Sequence, residues 1–287
     1  MKQIPVGVQA MMLKEKFAEL GAYETLRKVS ETGYKSVEIS QIPMTKENVD
    51  QMNRAQADFS VRIAATSSGL SPSGMPGEET LTTHFEKIVD DNHALGCSFI
   101  RIGMLPFGCM ASLEKVIDFS KKANEVAKDL KKEGIKLYYH NRHIEFMKFE
   151  NKTMLDIIRE NAPELGFEID VHWAHRGGFD PVKVIRDYKG KVDLIHLKDY
   201  RIAPIAPEGF EALKKGDFAA FMQAFTGNVQ FAEVGKGTLD MPAIIEASLE
   251  SGAKHFFIEQ DNLYGKEVFD CLKTSKDNLN KMGYELI

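Results

Sequence analysis

The sequence predicts a closed (β/α)8 barrel, an α/β fold in which eight parallel strands alternate with helices. Eight short runs rich in β-branched and aromatic residues alternate with longer amphipathic segments along the 287 residues. Most of these runs follow a glycine, which is typical of the turn between a helix and the next strand. Such alternation indicates βαβ units and a parallel sheet, and one barrel domain of this kind uses about 250 residues. We therefore expect residues 1–287 to form a single domain.

The predicted strands are short and are bounded by turn signals. In chain order they are Ile4–Ala10, Ser36–Ile39, Val61–Thr66, Phe99–Met104, Lys136–Asn141, Gly166–Val171, Val192–Lys198 and His255–Glu259. The longest interval separates strands seven and eight and contains a polar helix, Glu208–Gln223, and a further strand, Val229–Val234. Because no Pro/Ser-rich linker delimits this interval, we expect an extended loop rather than a second domain. Ser67–Glu79 is a second irregular segment.

The predicted helices carry apolar residues at the i, i+3 and i+4 spacing of amphipathic helices. They are Tyr23–Glu31, Lys46–Ala57, Leu81–Leu95, Ser112–Lys132, Met154–Asn161, Pro181–Asp187, Met241–Leu249 and Tyr264–Met282. In the fourth of these, Val116, Phe119 and Ala123 follow this spacing. We expect these helices to surround the barrel.

Composition and charge argue against several classes of protein. The chain carries 37 Lys+Arg and 42 Asp+Glu, a formal net charge of -5, whereas nucleic-acid binders need basic surface to neutralise phosphates. No run approaches the roughly 18 apolar residues of a membrane span. The cysteines Cys97, Cys109 and Cys271 are too few and too scattered for a disulfide framework or a zinc site. We therefore expect free thiols in a reducing compartment. With no signal-peptide pattern at the start, we expect a cytoplasmic protein without membrane or nucleic-acid partners, either monomeric or homo-oligomeric.

Metal ligands and acid–base residues collect at the ends of the last four predicted strands, where a barrel of this type places its active site. The segments are Tyr139–Glu145, Glu168–Trp173, His196–Asp199 and Glu259–Asp261. Because side chains alternate along a strand, Asp170, His196 and Glu259 are expected to converge at the barrel mouth with a group from strand five. Crowded carboxylates are costly without a cation, so we expect a divalent metal ion: Mn²⁺, Co²⁺, Zn²⁺ or Mg²⁺.

Four runs at these strand ends and in the last long loop form a set of motifs. They are Tyr139–Phe146 (YHNRHIEF), Ile195–Asp199 (IHLKD), Phe231–Gly237 (FAEVGKG) and Ile258–Asp261 (IEQD). The set resembles the YHNHxxEF, HLKD, EVGxG and EQD segments of the sugar phosphate isomerase/epimerase family, the xylose-isomerase-like TIM barrels. Val6–Gln9 and Gly33–Glu38 also fit. The resemblance implies a small carbohydrate substrate and one divalent cation held by a Glu–Asp–His–Glu quartet.

Carried over by motif, the last three ligands of the quartet are Asp170, His196 and Glu259. For strand five the resemblance implies Glu145, with His140 at a comparable strand end as the alternative. Two residues depart from the family pattern: Arg142 stands where a second His is common, and Trp173 stands where related epimerases carry a His. An arginine here suits an anionic substrate group, or else forms an ion pair with a neighbouring carboxylate.

The reaction that these residues predict is isomerisation or epimerisation of a sugar or polyol by proton transfer next to a carbonyl. The expected acids and bases are Glu145 and Glu259, with His140 and His143 as alternative bases and Lys198 as the group that holds or protonates an oxygen. The residues expected to bind substrate are Arg142, His172, Trp173 and Gln260.

Other functions remain open at this point. A lyase or dehydratase acting on an inosose or a 3-keto-glycoside begins with the same proton abstraction, so the sequence does not separate it from an epimerase. A nuclease of the endonuclease IV type shares the barrel but needs more clustered histidines and a basic surface. The presence of Asp170, His196 and Glu259 argues against an inactive sugar-binding barrel.

Overall fold

Eight parallel strands close into a barrel in the computed structural model, which describes residues 1–74 and 77–287. The barrel strands are β1 Val6–Gln9, β2 Ser36–Ile39, β3 Arg62–Ser67, β4 Phe99–Ile102, β5 Lys136–His140, β6 Gly166–Asp170, β7 Val192–Leu197 and β8 His255–Ile258. Each strand pairs with its neighbours in chain order, and β8 pairs with β1 to close the barrel. The predicted barrel is confirmed, and its strand ends differ from the expected ones by no more than two residues.

Helices pack around this barrel. They are α1 Lys14–Thr32, α2 Lys46–Phe59, α3 Phe85–Ala94, α4 Leu113–Lys132, α5 Met154–Asn161, α6 Val171–Arg176, α7 Pro181–Asp187, α8 Pro207–Lys214, α9 Phe218–Thr226, α10 Met241–Ser251 and α11 Val268–Lys281. Their apolar faces form one core with the outer faces of the strands. Among the described residues, no helix combines the length and apolar character that crossing a bilayer requires.

Glycines with positive φ explain two differences from the predicted helices. Helix α1 begins at Lys14, well before the predicted start, and is kinked at Gly21 (φ 80°), which interrupts the amphipathic pattern. The predicted helix Glu208–Gln223 is two helices, α8 and α9, because Gly216 (φ 78°) lies between them in a conformation that a helix does not allow.

In the described part of the chain, three short pairs of strands lie outside the barrel. Lys2–Ile4 pairs with Tyr284–Leu286, Lys148–Phe149 pairs with Lys152–Thr153, and Asp199–Ile202 pairs with Val229–Ala232. The last pair contains the extra strand predicted at Val229–Val234. Its other strand, Asp199–Ile202, begins two residues after the end of β7. The irregular segment Ser67–Glu79 includes Met75 and Pro76, which lie outside the described residues.

The barrel interior changes from apolar to charged toward the carboxyl ends of the strands. Ala65, Tyr138, Leu194 and Phe257 form a small apolar cluster inside the barrel. Glu38, Arg101 and Glu168 are also buried in the interior, and Glu168 lies two residues before Asp170 on β6. Since side chains from alternate strands form layers in such a barrel, these three charged groups make a layer directly below the mouth.

A buried carboxylate at the opposite end of the barrel stabilises the strands there. Asp193 accepts hydrogen bonds from the Tyr138 hydroxyl (2.5 Å) and from the Lys136 ammonium (2.6 Å). Burial opposes ionisation of Asp193, but these two hydrogen bonds outweigh it and lower the pKa of the carboxyl group. This lowered pKa makes a stabilising contribution that is fully present above pH about 4, the unfolded value. The contribution is lost as the pH falls through the lower pKa of the folded state.

Asp193→Asn is therefore expected to lower the free energy of unfolding by about 1–3 kcal/mol at pH 7, the range for hydrogen bonds to charged groups. The difference from the wild type should narrow below pH 4, because Asp193 takes up a proton there in the unfolded wild type and only at lower pH in the folded protein. Urea unfolding at pH 7 and pH 3 measures both values. A difference that stays constant between the two pH values contradicts this role.

Candidate metal centre

Four side chains with metal-ligating atoms meet at the carboxyl ends of β5 to β8. They are His140, Asp170, His196 and Glu259, and one ligand atom from each lies within 4.8 Å of all the others. The shortest contact joins His196 Nδ1 to Glu259 Oε2 at 2.7 Å. Asp170 Oδ2 lies 3.5 Å from His140 Nε2 and 3.9 Å from His196 Nδ1. All four residues are buried, so rigid strand ends and the surrounding protein hold them in place.

The local backbone explains how Asp170 reaches this cluster. Strand β6 ends at Asp170 and helix α6 begins at the next residue, so the predicted strand end at Val171 moves back by one residue. The Oδ1 atom of Asp170 accepts the backbone N–H of Trp173 (2.9 Å) and thereby caps the helix. Its Oδ2 atom is left to face His140 and His196. One carboxylate therefore both starts the helix and contributes to the cluster.

Carboxyl groups outnumber Arg and Lys side chains in and around the cluster. The carboxylates are Glu38, Glu168, Asp170, Glu259 and Asp261. Within the described part of the chain, the Arg and Lys side chains in ion-pair contact with them are Arg101 and Lys198. Burial raises the pKa of Asp170, and the nearby Glu259 charge adds to this effect while Lys198 opposes it. Buried carboxyl groups crowded in this way favour a bound cation.

Lys198 is the positive group nearest the cluster. Its ammonium lies 2.6 Å from Asp261, 3.2 Å from Glu259 and 3.6 Å from Asp170. Burial opposes the charged form, but the charges of Glu259, Asp170 and Asp261 outweigh it and raise the pKa of the ammonium. Lys198 therefore stays protonated at neutral pH and offers N–H donors to oxygens at the barrel mouth.

Glu145 lies outside the four-residue cluster. The segment Ile144–Phe146 forms a single 3-10 turn after β5, and Glu145 is not among the residues whose ligand atoms meet in the cluster. Its two oxygens accept hydrogen bonds from the Tyr139 hydroxyl and the backbone N–H of Arg142, both at 2.7 Å. Burial also raises the pKa of Glu145. The structure thus brings His140, the alternative on strand five, together with Asp170, His196 and Glu259, and does not bring Glu145 there.

Aromatic rings form a wall beside Lys198. The His172 ring lies 4.7 Å from Trp173, 4.9 Å from Tyr200 and 4.9 Å from Phe231. The Lys198 ammonium lies 5.1 Å from the Trp173 ring centre and 5.3 Å from that of Phe231. Burial lowers the pKa of His172 to about 3, so the ring is neutral at physiological pH. His172 is part of helix α6 rather than of strand six.

The other residues expected to touch substrate or act as bases lie around this wall. The Arg142 guanidinium is 6.0 Å from the Trp173 ring centre, and the exposed His143 ring stacks at a tilt on Trp173, 5.2 Å away. Gln260 is buried, and its amide donates to the backbone carbonyl of Asn262 (3.0 Å). Gln260 and Arg142 also border a depression of about 400 Å³ beside the barrel mouth.

A cavity of about 660 Å³ opens onto the metal-ligand cluster. Its wall includes His140, Glu259, Arg142, Arg101 and Gln9. This volume is within the range of small-molecule binding sites. His140 and Glu259 are the cluster members that border the cavity, so a bound molecule in it contacts them directly.

Sequence reasoning missed three residues of this site: Gln9, Glu38 and Arg101. The Gln9 amide lies 3.4 Å from Glu259 Oε1, to which it donates, and Glu38 and Arg101 lie beneath the cluster. Gln9 is the last residue of β1 and Glu38 lies one residue before the end of β2, so both carry the signal that identified the residues of strands five to eight. Arg101 likewise lies one residue before the end of β4, so it carries the same signal.

The family follows from a match of the sequence to a family model. Residues 26–274 match the model of the xylose isomerase-like TIM barrel. The chain belongs to this family. No curated protein matches it at a significant level.

Several solved structures share the fold of this chain. Two are sugar phosphate isomerase/epimerases from Parabacteroides distasonis. One is 20% identical, with 96% of this chain and 92% of the other covered and a TM-score of 0.70. The second is 18% identical, with 98% of each chain covered and a TM-score of 0.73. A third is the IOLI protein with a binding zinc atom, 14% identical, with 97% of each chain covered and a TM-score of 0.64.

The residues of this xylose isomerase-like barrel fit a divalent cation. His140 Nε2 and Asp170 Oδ2 are buried and have no hydrogen-bond partner among the described residues. Buried polar atoms are normally satisfied, and those that are not call for an explanation such as an ion. Two imidazoles and two carboxylates are a ligand set that Zn²⁺, Mn²⁺ and Co²⁺ accept.

Proposed function

We propose that this chain is a divalent-metal-dependent sugar isomerase or epimerase, a single-domain enzyme that transfers a proton at a carbon next to a carbonyl. The observation that carries the proposal is the meeting of His140, Asp170, His196 and Glu259 in one buried cluster, two of whose members, His140 and Glu259, border a 660 Å³ cavity. The structural similarity to sugar phosphate isomerase/epimerases supports a carbohydrate substrate. The zinc atom of the IOLI protein supports a bound metal in a barrel of this fold.

In this proposal His140, Asp170, His196 and Glu259 hold the cation. A divalent cation held there supplies Lewis-acid polarisation of a substrate carbonyl. The preference for His140 over Glu145 rests on the 4.8 Å cluster and on the hydrogen bonds that hold Glu145 elsewhere. The same centre suits Zn²⁺, Mn²⁺ or Co²⁺ more than Mg²⁺, which prefers oxygen ligands throughout.

The chain's own residues then move and stabilise the proton and the charge. Glu259 is the general base, because it borders the cavity and, among the described residues, its Oε1 atom accepts a hydrogen bond from the Gln9 amide alone, at 3.4 Å. Lys198 donates N–H groups toward the oxygen on which negative charge develops. Arg142 borders the cavity and binds an outer oxygen of the substrate, and Trp173 provides an apolar face for the sugar ring.

The arrangement of ligands favours this function over a three-zinc nuclease. Within residues 1–74 and 77–287, the second candidate ligand group is Glu38, Glu168 and His196, which shares His196 with the first. Two groups that share an imidazole make one centre rather than several. One equivalent of metal per chain is therefore the expected content.

Exchange with heavy water tests the function. Metal-loaded protein is incubated with a panel of ketoses, inososes and 3-keto-glycosides, and deuterium incorporation is followed by NMR. We expect deuterium at the carbon next to the carbonyl of one class, and loss of this exchange after treatment with a chelator. Loss of water or of a glycosyl group from the labelled substrate identifies a lyase instead. Turnover that survives removal of the metal contradicts the proposal.

A further inference from the structure

Three charged residues occupy the barrel layer directly beneath the proposed metal centre. Glu38, Arg101 and Glu168 come from β2, β4 and β6, and their side chains are 0%, 5% and 0% exposed. Branched apolar residues normally fill such a layer. Burying ions costs several kcal/mol each unless partners compensate, and a well-packed apolar set is often as stable. The charges therefore call for a role other than stability.

Arg101 lies between the two carboxyl groups of this layer and donates a hydrogen bond to Glu38. Its Nε lies 2.6 Å from Glu38 Oε1 and 3.2 Å from Glu168 Oε2, and its Nη2 donates to the Ser40 hydroxyl at 3.0 Å. Glu38, Glu168 and His196 have the spacing of a cation site. Because the guanidinium already supplies a positive charge between the two carboxylates, this group is not a second metal site.

The carboxylates in turn contact one side of His196. Its Nε2 lies 3.3 Å from Glu38 Oε2 and 3.1 Å from Glu168 Oε1. Its other nitrogen, Nδ1, lies 2.7 Å from Glu259 in the metal-ligand cluster. A carboxylate at one ring nitrogen fixes the proton there and leaves the lone pair of the other nitrogen for a metal. The two nitrogens of His196 are thus divided between the charged layer and the cluster.

We propose that Glu38, Arg101 and Glu168 form a positioning layer that orients the His196 ring so that Nδ1 faces the metal. This inference rests on the proposed function, because it takes the metal centre as given. The three residues are positioning residues rather than catalytic ones, since they act through His196. The layer explains why charge is buried at this depth of the barrel.

Glu38→Gln is the most direct test of this layer, because the amide keeps the size of the side chain. Both Glu38 oxygens face donors, Arg101 Nε and His196 Nε2. In either orientation of the glutamine amide, its NH₂ group therefore faces one of these donors and cannot accept a hydrogen bond from it. We expect Co²⁺ affinity to fall about 10- to 100-fold, the usual effect of removing such a supporting contact. The absorption spectrum of the bound Co²⁺ should also change, because the imidazole is no longer held in one orientation.

The experiment is a Co²⁺ titration followed by visible absorption, with unfolding temperature measured in parallel. Glu233→Gln is the matched control, because Glu233 is also buried and ion-paired, to Lys266, but contacts no member of the cluster. Arg101→Lys is the second variant in case Glu38→Gln does not fold, since it keeps the charge and loses the planar guanidinium. Both site variants should bind Co²⁺ more weakly, whereas Glu233→Gln should bind it as the wild type does.

The outcomes separate this inference from the function on which it rests. If the wild type binds no Co²⁺, the proposed metal-dependent function fails. If the wild type binds Co²⁺ and the folded site variants match it in affinity and spectrum, the positioning layer is overturned. Equal weakening in Glu233→Gln also overturns it, because the effect would then reflect general destabilisation.

Discussion

Asp170→Asn is expected to abolish tight binding of the divalent metal and to lower kcat/KM about 1,000-fold. The asparagine oxygen can still accept the N–H of Trp173 and cap helix α6, so the fold is retained. The NH₂ group then replaces Oδ2 beside His140 and His196 and cannot ligate a cation. Metal ions contribute several kcal/mol of transition-state stabilisation, and about 4 kcal/mol corresponds to three powers of ten in rate.

Metal analysis after dialysis and steady-state kinetics check this result. Asp193→Asn is the control, because Asp193 is likewise a buried carboxylate inside the barrel but contacts Tyr138 and Lys136 at the other end. It should retain one equivalent of metal despite its lower stability. A dialysed Asp170→Asn protein that keeps its metal and wild-type kcat/KM is incompatible with the proposed centre.

Asp199→Asn is expected to lower the free energy of unfolding by about 2–4 kcal/mol, the cost of leaving one or two buried donors unpaired. Asp199 directly follows Lys198. Its Oδ1 accepts the backbone N–H groups of Tyr200 (2.9 Å) and Leu239 (3.3 Å). Its Oδ2 accepts those of Gly235 and Gly237, both at 3.0 Å. In either orientation the asparagine NH₂ group faces two N–H donors.

The same substitution should reduce activity, because it releases the loop that holds Tyr200 beside His172 and follows Lys198. Asp180→Asn is the matched control, since Asp180 accepts a single N–H, from Val182, and asparagine caps a helix about as well as aspartate. Urea unfolding and kinetic assays of both variants measure the effects. Equal stability of the two variants contradicts the role of Asp199.

The contacts of Asp199 also explain two of the sequence motifs. A Cβ atom at Gly237 would lie 2.1 Å from Asp199 Oδ1, so glycine is required where the loop approaches the carboxylate. The IHLKD and FAEVGKG segments are thus the two halves of one hydrogen-bonded structure. The motifs identified the family from the sequence, but their mutual contact is apparent only in the folded chain.

Strand periodicity predicted the barrel and the convergence of Asp170, His196 and Glu259 because both depend on local patterns. Alternation along a strand fixes which side chains face inward, and the strand ends fix the mouth. The role of strand five could not be predicted in this way. His140 and Glu145 both lie close to the end of strand five in the sequence. Which of them joins the metal-ligand cluster depends on the short 3-10 turn that contains Glu145 and on the hydrogen bond that Glu145 accepts from the Tyr139 hydroxyl.

The charged layer beneath the centre depends on contacts that are distant in sequence. Arg101 meets Glu38 across 63 positions of the chain, and His196 meets Glu38 across 158. Strand alternation places each of these residues inside the barrel, but it does not show which strands bring their side chains into contact. Pairings of this kind follow from barrel closure and register rather than from any local pattern.

Anomalous diffraction from crystals grown with Co²⁺ tests the metal centre most directly. We predict one strong peak per chain, with His140, Asp170, His196 Nδ1 and Glu259 at bonding distances of about 2.0–2.2 Å, as for other nitrogen and oxygen ligands of such ions. Glu145 should stay hydrogen-bonded to Tyr139. A peak coordinated by Glu145 in place of His140 would overturn the assignment on strand five, and a mouth without any peak at saturating Co²⁺ would contradict the metal centre itself.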